Sequence, residues 1–301
     1  MRYAVAHGRR SGRGAAAALG ARAVAELRSS GHDVTEVLAD SLEEARARCA
    51  AQVAGGVDVL VVAGGDGVVS LATDLCAGTR TAVGILPAGS GNDNARSLRI
   101  PRDPDGALRT LLGGHRRTVD TIHVAELDRH VLGSVNTGLD ARIAHRATRL
   151  PRRLGGAVYT VAALVEIARL RWTPPLRYRL TTSAPGTTST EELDAVVVVP
   201  ANMPYLGGGL HLAPDADPAD GLLDLVIVRP LSPARALVLL SAVREGRHTA
   251  MPEVEVRRVR AVTVEGPADV LAHGDGEPLA PLPLTVRAAG SNLQVIAPPL
   301  T

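Results

Sequence analysis

Residues 59–63 run as five consecutive apolar side chains straight into Gly64-Gly65-Asp66-Gly67. A run that short, rich in valine and closed by glycine, fits a strand covered on both faces better than a helix. Strands buried on both faces belong to parallel sheets, because βαβ crossovers lay helices over each side. The flanking sequence keeps the same rhythm. Apolar segments at 3–6, 34–38 and 82–86 alternate with helical stretches. One helix runs to about Ser30, and another starts near Ser41, where Glu44 completes a Ser-x-x-Glu capping box. Residues 1–125 are therefore expected to form a Rossmann-like parallel α/β domain.

Residues 126–301 have a different texture. Short strands are expected at 130–135, 177–182, 195–199, 222–228, 254–259, 261–264, 284–287 and 293–296, separated by turn residues. Two helical stretches, 141–171 and 233–246, interrupt them, and 183–190 has the composition of a polar loop. This pattern predicts an antiparallel β-sandwich, with the C-terminal tail returning to the first domain.

Composition removes some chemistry. All 33 basic residues are arginine. A Walker A loop, a protein-kinase strand lysine and a Schiff base each need a lysine, so none is available in its usual form. The net charge of +2 implies no nucleic-acid partner. Cys49 and Cys76 cannot build a disulfide framework and suit a cytosolic chain. The N-terminus lacks a signal-peptide pattern, and no apolar run reaches the ~18 residues of a spanning helix. The expected location is cytoplasmic, at most peripheral to the inner membrane face.

Three polar or glycine-rich loops follow successive strands: residues 7–14, which include Gly12, then 64–67, then Gly89-Ser90-Gly91-Asn92 leading to Asp93 and Arg96. In an open parallel sheet such loops gather at the carboxyl ends of the strands, where ligands bind. Glycines admit a ligand to the backbone, and a helix N-terminus offers its amides to an anion. The spacing departs from Gly-x-Gly-x-x-Gly, which disfavours a dinucleotide site. Asp66 is out of place in a pure anion site. It fits a metal beside phosphates or a base for a hydroxyl, and equally an N-capping aspartate in a plain turn. Two later turns are acidic. Asp215, Asp217 and Asp220 open a strand, and Asp275 and Glu277 flank Gly276. Hard oxygens suit Mg²⁺ or Ca²⁺, although a solvated hairpin has the same composition.

Taken in order, Gly64-Gly65-Asp66-Gly67, Gly89-Ser90-Gly91-Asn92-Asp93-x-Ala95-Arg96, Asn136 to Ala141, Gly207-Gly208-Gly209 with Asp220-Gly221, and Asp275-Gly276-Glu277 resemble the bacterial diacylglycerol kinases and sphingosine-kinase-like lipid kinases. The resemblance implies an ATP-binding domain, a β-sandwich lipid-substrate domain and catalysis in the cleft between them. It implies transfer of the γ-phosphoryl group of ATP to a lipid hydroxyl with Mg²⁺, diacylglycerol giving phosphatidic acid, at a membrane surface. It also implies a homodimer. Residue by residue, Asp66, Asp275 and Glu277 take the catalytic positions. Gly12, Gly64, Gly65, Gly67, Val68, Gly89, Ser90, Gly91, Asn92 and Arg96 take the nucleotide positions. Asp93 and Asp120 join the supporting charge network, and Asp217, Asp220 and Leu222 take the metal site, Leu222 through its carbonyl alone.

Val68 stands where the family has threonine, and Leu71 where it has glutamate. Both raise the alternative of a degenerate nucleotide- or lipid-binding regulator. A small-molecule kinase of the NAD kinase type shares the Gly-Gly-Asp-Gly turn, but the Asn92 and Asp275 motifs argue against it. Finally, between Arg142 and Trp172 seven arginines (142, 146, 149, 152, 153, 169 and 171) face one acid, Glu166. This segment fits either an anionic bilayer or a helix with a solvated arginine face.

Overall fold

A computed structural model of the chain describes residues 1–8, 14–151 and 158–299. The chain divides into two compact units, residues 1–121 with 290–301, and residues 122–289.

The first unit begins β1 (Arg2–Gly8), α1 (Ala15–Ser29), β2 (Asp33–Ala39), α2 (Leu42–Ala54), β3 (Val59–Gly64), α3 (Asp66–Cys76) and β4 (Ala82–Pro87). It continues through α4 (Asp93–Ser97), α5 (Pro104–Gly113) and β5 (Arg116–Val124). The parallel order is β2-β1-β3-β4. All six residues of β3 and of β4 are buried, as the apolar run at 59–63 requires. Leu19, Val24 and Leu27 of α1 and Leu108 and Leu111 of α5 share a core with Val5, Val59 and Val61. The Ser41 cap forms, its hydroxyl accepting the Glu44 N–H at 3.1 Å. Glu44 reaches back one residue further than a capping box does, to the Asp40 N–H at 2.7 Å.

The second unit holds β6 (Arg129–Val131), β7 (Val135–Gly138), α6 (Leu139–Arg149), α7 (Val158–Arg169), β8 (Leu176–Ala184), β9 (Thr187–Ala195), β10 (Val197–Ala201), β11 (Tyr205–Leu206), β12 (Leu210–His211) and β13 (Leu223–Val228). There follow α8 (Pro233–Arg244), a 3₁₀ turn (Arg247–Ala250), β14 (Val254–Val259), β15 (Ala261–Glu265), β16 (Leu271–Gly274), β17 (Glu277–Pro281) and β18 (Leu284–Ile296). One antiparallel layer runs β18-β15-β8-β9, and the other β14-β13-β10-β7-β16-β17. Alternate residues of β13 serve two cores. Leu223, Leu225 and Ile227 pack with Tyr178, Val262 and Leu284 of the facing layer. Val226 and Val228 pack with Ile167 of α7 and Ala236 and Val243 of α8. This is a β-sandwich with helices on one outer face. The final strand begins in this unit, Val286 beside Val262, and ends in the first, with Val295 beside Val83 in parallel register.

Four details differ from the sequence reading. The expected loop at 183–190 is the tip of the β8–β9 hairpin, with Thr187–Ala195 as an edge strand. Most of its side chains are exposed, so they are Thr, Ser and Glu and carry no apolar alternation. The expected strand at 130–135 is broken in its middle by bonds to Asp275, described below. The segments 284–287 and 293–296 are one strand, with Ser291 at φ 52 inside it. The helical stretch 141–171 comprises α6 and α7; Arg152 and Arg153, like Arg9, Arg10, Gly12 and Arg13, lie outside the described residues.

Candidate functional site

In the first unit, the two glycine turns after β3 and β4 are laced together. The Ala88 N–H bonds the Gly64 carbonyl at 2.8 Å. Gly65 and Gly89 touch so closely that a Cβ on Gly89 would lie 2.4 Å from the Gly65 Cα. Only glycine permits that approach. Asn92 adopts φ 56 and clips the second turn from both sides. Its Oδ1 accepts the Gly89 N–H at 2.9 Å, and its Nδ2 donates to the Gly89 carbonyl at 2.8 Å. Ser90 is exposed, and Gly91 half-buried, on that turn.

Asp66 is the first residue of α3 rather than part of a preceding loop, which leaves Gly67 inside the helix's first turn. Its Oδ1 accepts the Asn94 N–H at 3.1 Å, tying α3 to α4. Asp66 is half-buried, and its second carboxylate oxygen makes no hydrogen bond among the described residues. No side chain caps α3, so the helix presents uncapped amides beside this carboxylate.

Val68 packs over Gly64, where a Cβ would meet its Cγ2 at 2.6 Å. Val68 and Leu71 both line a cavity of about 220 Å³ at the carboxyl ends of β1, β2 and β3, together with Gly8, Ala39 and Val62. The two departures from the family pattern thus act at one place and make one wall apolar.

Asp93 opens α4 and is buried, with Arg96 one turn along. Asp120, 1% exposed in β5, accepts the Ser291 N–H at 2.6 Å. That bond holds the strained Ser291 backbone, which gives Asp120 a structural duty in the first unit.

In the second unit the late acidic turn separates its two carboxylates. Asp275 sits at φ 49 between β16 and β17. Its Oδ1 accepts the N–H groups of Gly133 at 2.9 Å and Ser134 at 3.1 Å, and its Oδ2 that of Leu132 at 3.1 Å. Three amides that a continuous strand would give to its ladder go to this carboxylate instead. A carboxylate engaged by three amides is committed to fixing that backbone. Glu277 is half-buried at the start of β17, where its backbone pairs with Gly274, and its carboxylate engages no hydrogen bond or ion pair among the described residues.

The earlier acidic turn is partly self-satisfied. Asp217 accepts the Ala219 N–H at 3.0 Å and Asp220 the Leu222 N–H at 2.9 Å. The other Asp220 oxygen is ion-paired with Arg258. Among the described residues no three acidic, histidine or cysteine side chains converge as metal ligands. A cation at Asp217, Asp220 and the Leu222 carbonyl would have to compete with Arg258, so the residues as placed do not fit a ready cation cage.

One group was absent from the expected site residues. Asp140 stands in the first turn of α6, both carboxylate oxygens buried with no well-formed hydrogen bond, the nearby Asp140 and Ala141 amides only partly offsetting that burial. Burial pushes its pKa up to about 8. The Tyr178 hydroxyl lies close to Gly138 just before it. Its signal was legible in the sequence, since Asp140 lies inside the Asn136 to Ala141 segment that carries part of the family resemblance.

Comparison with known proteins agrees with this geometry. Residues 2–124 match the diacylglycerol kinase catalytic domain, and residues 133–297 match the YegS C-terminal NAD kinase beta sandwich-like domain. A diacylglycerol kinase of Mycobacterium tuberculosis is 36% identical over 294 residues, 96% of this chain and 92% of that one. A Bacillus anthracis structure assigned as a diacylglycerol kinase superposes with a TM-score of 0.80 at 19% identity, over 99% of this chain and 95% of that one. Yeast NADH kinase, at 12% identity and a TM-score of 0.56 over 99% of this chain and 84% of that one, shares the fold alone. The paired glycine turns, the Asp-Gly-Glu hairpin and these likenesses converge: the chain belongs to the diacylglycerol kinase family of lipid kinases.

Proposed function

We propose that the protein transfers the γ-phosphoryl group of ATP to the free hydroxyl of diacylglycerol, giving phosphatidic acid and ADP. The observation that carries this reading is Asp66, held by the Asn94 amide between two glycine turns in backbone contact, beside the uncapped start of α3. The first unit binds ATP. Its cavity, apolar at Val68 and Leu71 and polar at His7, Asp40 and Ser41, takes a flat base. Its turn amides take the phosphates, with Arg96 the arginine of the second turn that the chain offers in place of a lysine. The second unit takes the lipid.

The acceptor oxygen attacks the γ-phosphorus, the bond to the β–γ bridging oxygen breaks, and the hydroxyl proton passes to a carboxylate. Asp66 and Glu277 each have an oxygen open to take it. Asp275 instead holds the backbone of 132–134 in place. The family's divalent ion, proposed as Mg²⁺, would neutralise charge on the transferring group, with Asp66 as the carboxylate that fits it. The acidic turn at Asp217 and Asp220 supplies no step.

Labelled ATP with Mg²⁺ and a panel of lipids in mixed micelles tests the reading. Label in phosphatidic acid supports it. Label in another lipid alone, or ATP binding without transfer, overturns it.

A further inference from the structure

Among the described residues, five of the eight exposed large apolar side chains lie on two helices and the turn that closes one of them. They are Leu164 and Val165 on α7, Trp172 just beyond it at 76% exposure, and Leu237 and Val238 on α8 at 47% and 52%. The two helices pack against each other. Their inner positions, Ile167, Ala236 and Val243, join the core beneath the sheet. Four of their outer positions, where an amphipathic surface helix carries polar groups, are apolar instead: Leu164, Val165, Leu237 and Val238.

Charge decides what this face meets. Arg142 and Arg146 are held by the buried Glu166, at 3.2 and 2.5 Å, so they are unavailable to a partner. Arg149, Arg169, Arg171 and Arg244 are exposed and make no ion pair among the described residues. The one acid on α7 is therefore paired inside, α8 carries none, Glu245 at its C-terminal end is paired with Arg247, and among the described residues of these two helices the exposed charges without an ion pair are arginines. A second copy packed through this face about a two-fold axis would set like charges against like. Lipid phosphates complement them.

We infer that the outer faces of α7 and α8, with Trp172, seat the protein on an anionic lipid bilayer. The inference gives the lipid-kinase reading its access to substrate, but it is measured without turnover, so the two fail separately. No helix among the described residues is long and apolar enough to span a bilayer, so the contact is interfacial.

Trp172 is the single tryptophan of the chain, which makes its fluorescence a direct reporter. With vesicles of equal parts phosphatidylglycerol and phosphatidylcholine, its emission shifts to the blue and is quenched by bromine-labelled acyl chains. With phosphatidylcholine alone it does not move. The Leu237→Gln/Val238→Gln variant binds the anionic vesicles ~10-fold less tightly. It still phosphorylates a short-chain, monomeric diacylglycerol at the wild-type rate. A second variant, Arg169→Gln/Arg171→Gln/Arg244→Gln, leaves the core untouched and flattens the salt dependence of binding. An unshifted tryptophan on anionic vesicles overturns the inference. So does an equal shift on neutral vesicles, or a shift that grows with protein concentration in the absence of lipid.

Discussion

Replacing Asp275 by Asn keeps the side-chain shape and removes its charge. In the native hairpin the two carboxylate oxygens accept three N–H groups, from Leu132, Gly133 and Ser134. The Asn carbonyl can keep the two on Oδ1. Its amide nitrogen then faces the Leu132 N–H, donor against donor, at a residue that is fully buried. Stranding that amide costs ~1–3 kcal/mol, and the other two bonds lose their charge assistance. The sum is ~2–5 kcal/mol. For a unit of this size that is a drop in Tm of about 10 °C. Glu277→Gln breaks no bond among the described residues, so its stability stays within ~0.5 kcal/mol of wild type. Its turnover falls ~10²–10⁴-fold if it is the base. Thermal melts and lipid phosphorylation, measured on both variants, separate anchor from base. An Asp275→Asn protein with the wild-type Tm, and a turnover loss matching that of Glu277→Gln, would refute the division of roles.

Three further outcomes follow from the geometry. Gly89→Ala needs no unusual φ, yet its methyl must retreat about 1 Å from the Gly65 Cα to reach ordinary contact; a displacement of that size costs ~10²-fold in turnover. Gly113→Ala, with nothing within 4 Å, is the matched control and should leave ATP affinity and turnover unchanged. The Asp140 carboxyl keeps its proton in the folded state up to about pH 8, whereas the unfolded chain releases it near 3.8. Its contribution to stability is therefore complete below pH 3.8 and is lost as pH rises toward 8, by up to ~1.4 kcal/mol per pH unit. Urea unfolding of Asp140→Asn between pH 5 and 8 should show a shallower fall than wild type, and parallel curves would contradict the buried assignment.

The α/β unit was legible because its strands are buried on both faces. Residues 59–63 and 82–86 therefore carry continuous apolar runs that local pattern alone exposes. The β9 edge strand was not, since Thr187 to Glu192 face solvent and no burial pattern marks them. The glycine turns announced a phosphate-handling site, but not that Gly65 and Gly89 would touch, which depends on the spacing of β3 and β4. The resemblance put Asp275 and Glu277 in catalytic positions, with Glu277 in the place of the proton acceptor. It did not reveal that Asp275 holds the chain at 132–134, some 140 residues away. The Asp217 and Asp220 turn was legible as acidic but not as partnered, because Arg258 arrives on β14. The arginine count between 142 and 172 overstated the free charge, since Glu166 holds two of those side chains from inside the helix pair.

The measurement that bears most directly on the central claim is steady-state transfer of label from ATP to diacylglycerol by Asp66→Asn. That substitution keeps an oxygen for the Asn94 N–H, so the fold and its Tm should survive. The account predicts turnover lower by ~10³-fold with ATP still bound. Near-normal turnover in a folded Asp66→Asn protein would contradict it.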